Sequence, residues 1–333
     1  MSQLRTLQFE DILPYLEGEG DTLVLFHRNP DADAVGSAYA MKKVLEGLGS
    51  RAWCVCGDEV PLRLRFLLNG EQDSVLPESI PTDFEIRRIV SVDTASPAQL
   101  GSLWELYGGQ IDLMIDHHGM GEPYADHYVR PEAAATGEIL FDLVRELADR
   151  ERIHISYELC TALYAAISAD TGCFRYSNVT PDTHLRAADL LSGGIDGAEI
   201  NHRLYDSKTV EQLRAQAAGI SNLHLFADGK IAVITFPYAL KVALALEDEH
   251  LDTLVDVARS ILGVKVAIAI RQPNATGTFR VSTRSSCGYD VSELCAQFGG
   301  GGHAKAAGCT VTAADTDAAM NKIVSSIRED ELD

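Results

Sequence analysis

Along the first half of the chain the hydrophobic positions switch repeatedly between two spacings. Short runs that are almost wholly apolar or β-branched read as strands: TLVLF from Thr22, RRIVSVD ending at Asp93, and QIDLMIDHH ending at His118. Between and after them, AVGSAYAMKKVLEGLG, GEILFDLVRELADR, CTALYAAISAD and DTHLRAADLLSGG carry helical spacing. Continuous apolar strands that alternate with helices suit a parallel sheet, because each crossover lays a helix on the sheet and both faces become buried. The pattern predicts an α/β domain over residues 1–192, with a mostly parallel sheet flanked by helices.

A helical linker is expected over residues 193–225, where KTVEQLRAQAAGISNLHLF reads as one helix leading out of the first domain. Strand-like ADGKIAVITF, KVAIAIRQ and TFRVSTRS then enclose a helical stretch around LDTLVDVARSI, so residues 226–333 are expected to form a smaller mixed α/β domain. Two domains also match the length of 333 residues, which is long for one core.

Composition narrows the class. Hydrophobic residues at 46% and charged residues at 23% suit two folded cores rather than disorder. The acidic N-terminal stretch and the absence of a long apolar run predict a cytoplasmic protein with no membrane partner. Seven cysteines, with no pair of C-x-x-C motifs, argue against a disulfide framework or a structural zinc site. A formal charge of −21 disfavours long duplex nucleic acid, since affinity for a polyanion comes largely from many Lys and Arg contacts to phosphate. A short anionic substrate remains compatible, given local cations.

The candidate chemistry sits at the strand ends. His27, Asp31 and Asp33 follow the first strand, Asp93 ends the next, and Asp116, His117 and His118 end the third. Asp170 closes the helix CTALYAAISAD. Singly, each reads more simply as a cap, a turn residue or a structural histidine. Together, at consecutive strand ends of an α/β sheet, they read as a ligand cluster. Imidazoles mixed with carboxylates suit Mn²⁺ better than Ca²⁺. Crowded carboxylates repel one another unless cations intervene, and two ions about 3.5–4 Å apart can stabilise both the attacking and the leaving oxygen of a phosphoryl displacement.

The second half carries a different signal. Four glycines, Gly299 to Gly302, precede His303, and such a run lets backbone N–H groups approach an anion closely. Arg284 beside Ser286 offers a forked phosphate clasp, and Lys305 adds a second positive charge.

With these residues in place, the chain resembles the DHH phosphoesterase superfamily through HRNPDADAVGS, SVDTAS, IDHHG and the Asp170 segment, and its DHHA1 subfamily through GGGGH. The resemblance spans roughly Asp21 to Gly308. Total length and the spacing from STRSS to GGGGHAKAAG look like the bacterial bifunctional oligoribonucleases of the NrnA type. The resemblance implies that His27, Asp31 and Asp93 hold one Mn²⁺, while Asp33, Asp93, His117 and Asp170 hold a second, with Asp93 bridging. It assigns catalytic roles to Asp93, His117 and His118, with His118 facing the scissile phosphate. It implies that Arg284, Ser286 and His303 grip a terminal phosphate or the nucleotide across a cleft from the metals, and the residue reading adds Lys305 and the loop of Gly300, Gly301 and Gly302 to that subsite. The implied reactions are hydrolysis of nanoRNA to mononucleotides and of 3'-phosphoadenosine-5'-phosphate (pAp) to AMP. Rival readings are hydrolysis of pApA or cyclic di-AMP, pyrophosphatase or exopolyphosphatase activity, and a non-catalytic nucleotide sensor. Pairing into a homodimer is compatible with the sequence.

Overall fold

Strand β1 (Asp21–Leu25) shows why its sequence is a continuous apolar run. In the computed structural model, which describes residues 4–332, Leu23 and Leu25 turn to one face with Leu100, Leu103 and Met114, while Val24 turns to the opposite face with Val35, Ala38 and Leu163. Both faces are covered, which favours apolar side chains from Leu23 to Leu25. The outer limits of the predicted domains, Met1 and Asp333, lie outside the described residues.

Around β1 lie β2 (Arg51–Val55), β3 (Ile86–Val92), β4 (Leu113–Asp116) and β5 (Asp126–Val129), in the order β2-β1-β3-β4-β5 and parallel throughout. The parallel sheet is the predicted one, with RAWCV and DHYV added as strands that the apolar pattern did not single out. The chain leaves β1 toward β2 and returns to the other side at β3, so the sheet changes direction between the ends of β1 and β3. That point is where open α/β sheets leave a crevice.

Helices α1 (Ala32–Gly47), α2 (Thr136–Asp149), α3 (Tyr157–Asp170) and α4 (Pro181–Ser192) belong to this first compact unit, which ends at Ser207. Asp31 caps α1, its carboxylate accepting from the Ala34 amide at 3.0 Å. Helix α1 is buried nearly all round, as a helix enclosed by neighbours must be. Its contact with α3 is close because Gly36 has no side chain: a Cβ there would stand 2.5 Å from the Ala162 carbonyl oxygen and 3.1 Å from the Ala166 Cβ.

The second unit starts at Lys208. It contains α5 (Val210–Ser221), β6 (Leu223–Phe226), β7 (Ile231–Phe236), α6 (Leu254–Arg259), β8 (Val266–Arg271), β9 (Thr278–Ser285), α7 (Val291–Ala296), β10 (Gly301–His303), β11 (Ala306–Thr312) and α8 (Thr316–Val324). The six-stranded sheet runs β10-β11-β9-β8-β7-β6, with β7 and β8 parallel and the other pairs antiparallel. One face packs Val233, Ile268, Phe279 and Val281 with Leu294 and Ile323; the other packs Ala232, Ile234, Ala267 and Ala269 with Leu254 and Ala258. The stretch read as one helix through Phe226 stops at Ser221 instead. Asn222 folds its side-chain amide onto the Ala218 carbonyl, and the residues after it pair with the otherwise open edge of β7. Backbone pairing to a neighbouring strand outweighs local helix preference there. Among the described residues no helix is long and apolar enough to cross a membrane.

Replacing Gly36 by Ala tests the α1–α3 contact by the sign of its effect. Helix propensity alone favours Ala by about 1 kcal/mol, whereas the clash with a backbone oxygen should give a net destabilisation of about 1–3 kcal/mol. Gly109→Ala, where a Cβ meets nothing within 4 Å, is the control. Denaturant midpoints of the two variants measure the difference.

Candidate metal centre

The candidate ligands of the first unit are delivered by several elements. His27 and Asp31 lie in the loop between β1 and α1, and Asp33 is in the first turn of α1. Asp93 directly follows β3, His117 and His118 follow β4, and Asp170 is the last residue of α3. Asp93 takes a left-handed backbone with φ of 52°, uncommon for a residue with a side chain. Its amide donates to the Ile115 carbonyl at 2.9 Å, which holds the turn at the end of the sheet.

The imidazoles are aimed from behind. His27 Nδ1 lies 2.8 Å from the Arg28 carbonyl oxygen, and His117 Nδ1 lies 3.2 Å from that of Ala133. A carbonyl can only accept, so Nδ1 carries the proton in both rings and Nε2 is the ligand atom. His27 Nε2 faces Asp31 Oδ1 at 3.8 Å and Asp93 Oδ2 at 3.6 Å. His117 Nε2 faces Asp170 Oδ2 at 3.2 Å, Asp93 Oδ1 at 3.7 Å and Asp33 Oδ2 at 3.8 Å. The two oxygens of Asp93 therefore look toward two separate groups of ligands.

Within the set of His27, Asp31 and Asp93, and within that of Asp33, His117 and Asp170, the potential ligand atoms lie within 4.8 Å of one another. Asp33 and Asp93 are buried, and among the described residues the ion pairs of Asp31, Asp33, Asp93 and Asp170 are with imidazoles. Burial, then repulsion from Asp93 and Asp170, raises the proton affinity of Asp33 well above the ordinary carboxylate range. Burial likewise lifts Asp93, to about 6, against the pull of His118. For His27, burial opposes charge, but Asp31 and Asp93 overcome it and bring the imidazole to about 10. Clustered anionic groups, with two imidazoles presenting Nε2, match the donor set of a hard or borderline divalent cation.

The supporting contacts were not evident in the sequence. Asp33 accepts from Ser37 at 2.9 Å, the Thr136 amide at 2.7 Å and the Gly137 amide at 3.0 Å, so the start of α2 clasps it. The Thr136 hydroxyl donates to Asp93 Oδ1 at 2.9 Å. Gly137 must lack a side chain, since a Cβ would stand 2.6 Å from the Ala166 Cβ. Asn178 donates to the carbonyls of Ala134 at 3.1 Å and Asp170 at 3.0 Å, tying the loop before α2 to the end of α3. The only sequence cue for this loop is the run AAATGE at a helix start. Asp116, read above only as a strand-end acid, accepts from the amides of His117 at 2.7 Å and His118 at 3.1 Å, and its Oδ1 lies 2.7 Å from His118 Nδ1. Burial works against charge on His118, and Asp116 more than offsets it, raising the imidazole's proton affinity.

In the second unit, the run Gly299–Gly302 is not a loose loop. Gly301–His303 forms β10, paired so that Gly301 faces Gly308, Gly302 faces Ala307 and His303 faces Ala306. A Cβ on Gly300 would stand 2.2 Å from the Gly308 oxygen, and Gly302 has φ of 141°, so these two glycines serve close strand approach. Arg284 also faces Ala306, from the β9 side. His303, Ala306 and Arg284 thus share one row and one face of the sheet, with the small Ala306 in the middle. Ser286 is exposed just beyond β9, its amide bonded to the Lys265 carbonyl at 2.7 Å. Lys305 turns its ammonium to the Cys287 carbonyl, and its own carbonyl accepts from Ser285 at 2.9 Å.

Comparison with known proteins assigns both units to described families. Residues 21–167 match the model of the DHH family, N-terminal domain, and residues 234–329 match that of the DHHA1 domain. The chain is 31% identical over 313 residues to the bifunctional oligoribonuclease and PAP phosphatase NrnA of Thermus thermophilus, spanning 94% of this chain and 90% of that relative. A probable protein of the same kind from Streptococcus mutans is 29% identical, over 90% of this chain and 92% of its own length. The crystal structure of an exopolyphosphatase-related protein from Bacteroides fragilis shares the fold, with a TM-score of 0.85 at 22% identity over 95% of this chain and 94% of that one. The chain therefore belongs to the DHH family of phosphoesterases, in the branch that carries a DHHA1 domain.

Proposed function

We propose that the protein is an Mn²⁺-dependent phosphoesterase that hydrolyses very short oligoribonucleotides to mononucleotides and pAp to AMP. The observation that carries the reading is the orientation of Asp93, whose Oδ2 lies 3.6 Å from His27 and whose Oδ1 lies 3.7 Å from His117, as a carboxylate shared between two cations would. The likeness to relatives named as bifunctional oligoribonuclease and PAP phosphatase supports the substrate class.

In this reading His27, Asp31 and Asp93 hold one Mn²⁺, and Asp33, Asp93, His117 and Asp170 hold the other. Two bound ions would neutralise the crowded carboxylates and supply Lewis acidity toward water and the phosphoryl oxygens. His118, its Nδ1 held 2.7 Å from Asp116, faces an oxygen of the scissile phosphate. The loop before α2 keeps the ligand imidazole of His117 from rotating away. Arg284 binds the far phosphate of the substrate in forked geometry, with His303, Ser286, Lys305 and the backbone of Gly300, Gly301 and Gly302 completing the subsite. Residues 1–192 carry bond cleavage, 193–225 connect, and 226–333 bind nucleotide. Both reactions break the bond between phosphorus and a ribose 3'-oxygen, so one geometry serves both. Nucleotide substrates of this kind go with a cytoplasmic location.

Turnover of pAp and of a 5'-phosphorylated RNA dinucleotide tests the reading directly. Mn²⁺ should restore activity to chelator-treated protein, releasing AMP and mononucleotides; hydrolysis of neither substrate would overturn it. Asp93→Ala should bring both activities to background. Saturating Mn²⁺ should raise the unfolding free energy of the wild type by about 2.7 kcal/mol at 100 times Kd, an increment absent from Asp93→Ala. Arg284→Ala should instead raise KM about tenfold to 100-fold with kcat little changed, because a charge-assisted hydrogen bond is worth about 1.5–3 kcal/mol. A kcat loss with unchanged KM would remove Arg284 from the binding role.

A further inference from the structure

We infer that Thr136 is a positioning residue that sets the rotation of the Asp93 carboxylate, and so decides whether its two oxygens serve two metal sites or one; this rests on the two-metal reading above. Thr136 is fully buried at the first position of α2. Its hydroxyl donates to Asp93 Oδ1 at 2.9 Å while its amide donates to Asp33 Oδ2 at 2.7 Å. One residue thus spans the carboxylate shared by the two ligand sets and a carboxylate belonging to only one of them.

The geometry explains why such a device is needed. Asp93 stands on a left-handed backbone after β3, outside any helix that would restrict its side chain. A terminal carboxyl torsion is broad, so nothing local keeps Oδ1 toward His117 and Oδ2 toward His27. A donor fixed on the Oδ1 side removes that freedom. Thr136 can hold its hydroxyl there because its β-branched side chain has few rotamers and is enclosed on all sides. Helix α2 and the loop before it are anchored to the site by two further contacts, the Gly137 amide on Asp33 at 3.0 Å and the Ala133 carbonyl beside His117 Nδ1 at 3.2 Å. The hydroxyl therefore sits in a frame fixed to the ligand set of Asp33 and His117.

A purely structural role would make Thr136 a buried hydroxyl that uses the nearest acceptor, with consequences for stability alone. The test separates the two. Thr136→Val removes the hydroxyl at constant shape, and Thr136→Ser retains it. Mn²⁺ binding is read from the electron paramagnetic resonance signal of the free ion, beside kcat and KM for pAp, with far-ultraviolet circular dichroism reporting the fold. Supporting contacts of this kind typically contribute 10-fold to 100-fold, so Thr136→Val should lose roughly that factor in Mn²⁺ affinity or in kcat with KM little changed, and Thr136→Ser should stay near wild type. Where valine prevents folding, Thr136→Ala takes its place. Wild-type Mn²⁺ binding and kcat in the hydroxyl-free variant, or a Thr136→Ser protein as impaired as it, would overturn the inference. Absence of Mn²⁺ binding by the wild type would instead remove the two-metal reading itself, which keeps the two failures apart.

Discussion

Mutual repulsion among carboxylates brought together in a buried site is the constraint on which the first unit depends. Asp31, Asp33, Asp93 and Asp170 reach one small region from three chain segments, and burial, with repulsion between the acids, raises the proton affinities of Asp33 and Asp93. Without compensation such a cluster would push its elements apart. The fold meets this with oriented donors. The start of α2 turns the amides of Thr136 and Gly137 onto Asp33, the cap of α1 turns the Ala34 amide onto Asp31, and two imidazoles held at Nδ1 present Nε2. These are fixed dipoles, so they need no reorganisation when charge in the site changes.

Holding those dipoles in register requires helices to come closer than side chains normally allow. Gly36 lets α1 meet the backbone of α3, and Gly137 lets α2 reach the same surface at Ala166. The helices that carry Asp33 and Asp170 are thereby referenced to each other as well as to the sheet. The change of direction between β1 and β3 then leaves room for the ligands at the strand ends. The energetic cost of gathering the acids is offset by packing elsewhere, notably the apolar faces of β1.

The second unit shows the same logic with the opposite charge. Its glycine run has the composition of a flexible loop, yet Gly300 and Gly302 occupy positions where strand pairing leaves no space for a Cβ. That pairing places His303 and Arg284 on either side of Ala306. The conformational freedom of glycine is spent on close approach between strands, and the result is an ordered row of cationic and donor groups on one face.

Some of this was legible from residue order alone. Apolar runs long enough for a strand, alternating with helical spacing, require a covered parallel sheet, and the side chains that end those runs must emerge at one edge; the placement of His27, Asp93 and His117 follows from that. Local rules also carry Asp31 to the cap of α1. Other features are set by contacts between residues far apart in the chain, which periodicity does not encode. The break of α5 at Ser221 depends on an open edge of β7, the left-handed turn at Asp93 on its bond to Ile115, and the grip of Thr136 on Asp33 and Asp93 on a helix start more than a hundred residues from one of them. The sequence by itself determined the type of most elements and which acids and imidazoles stand at their ends, because those depend on local spacing and chemistry. Only the tertiary structure decided which oxygen of Asp93 faces which imidazole, because that orientation is set by donors that the fold brings together across distant segments.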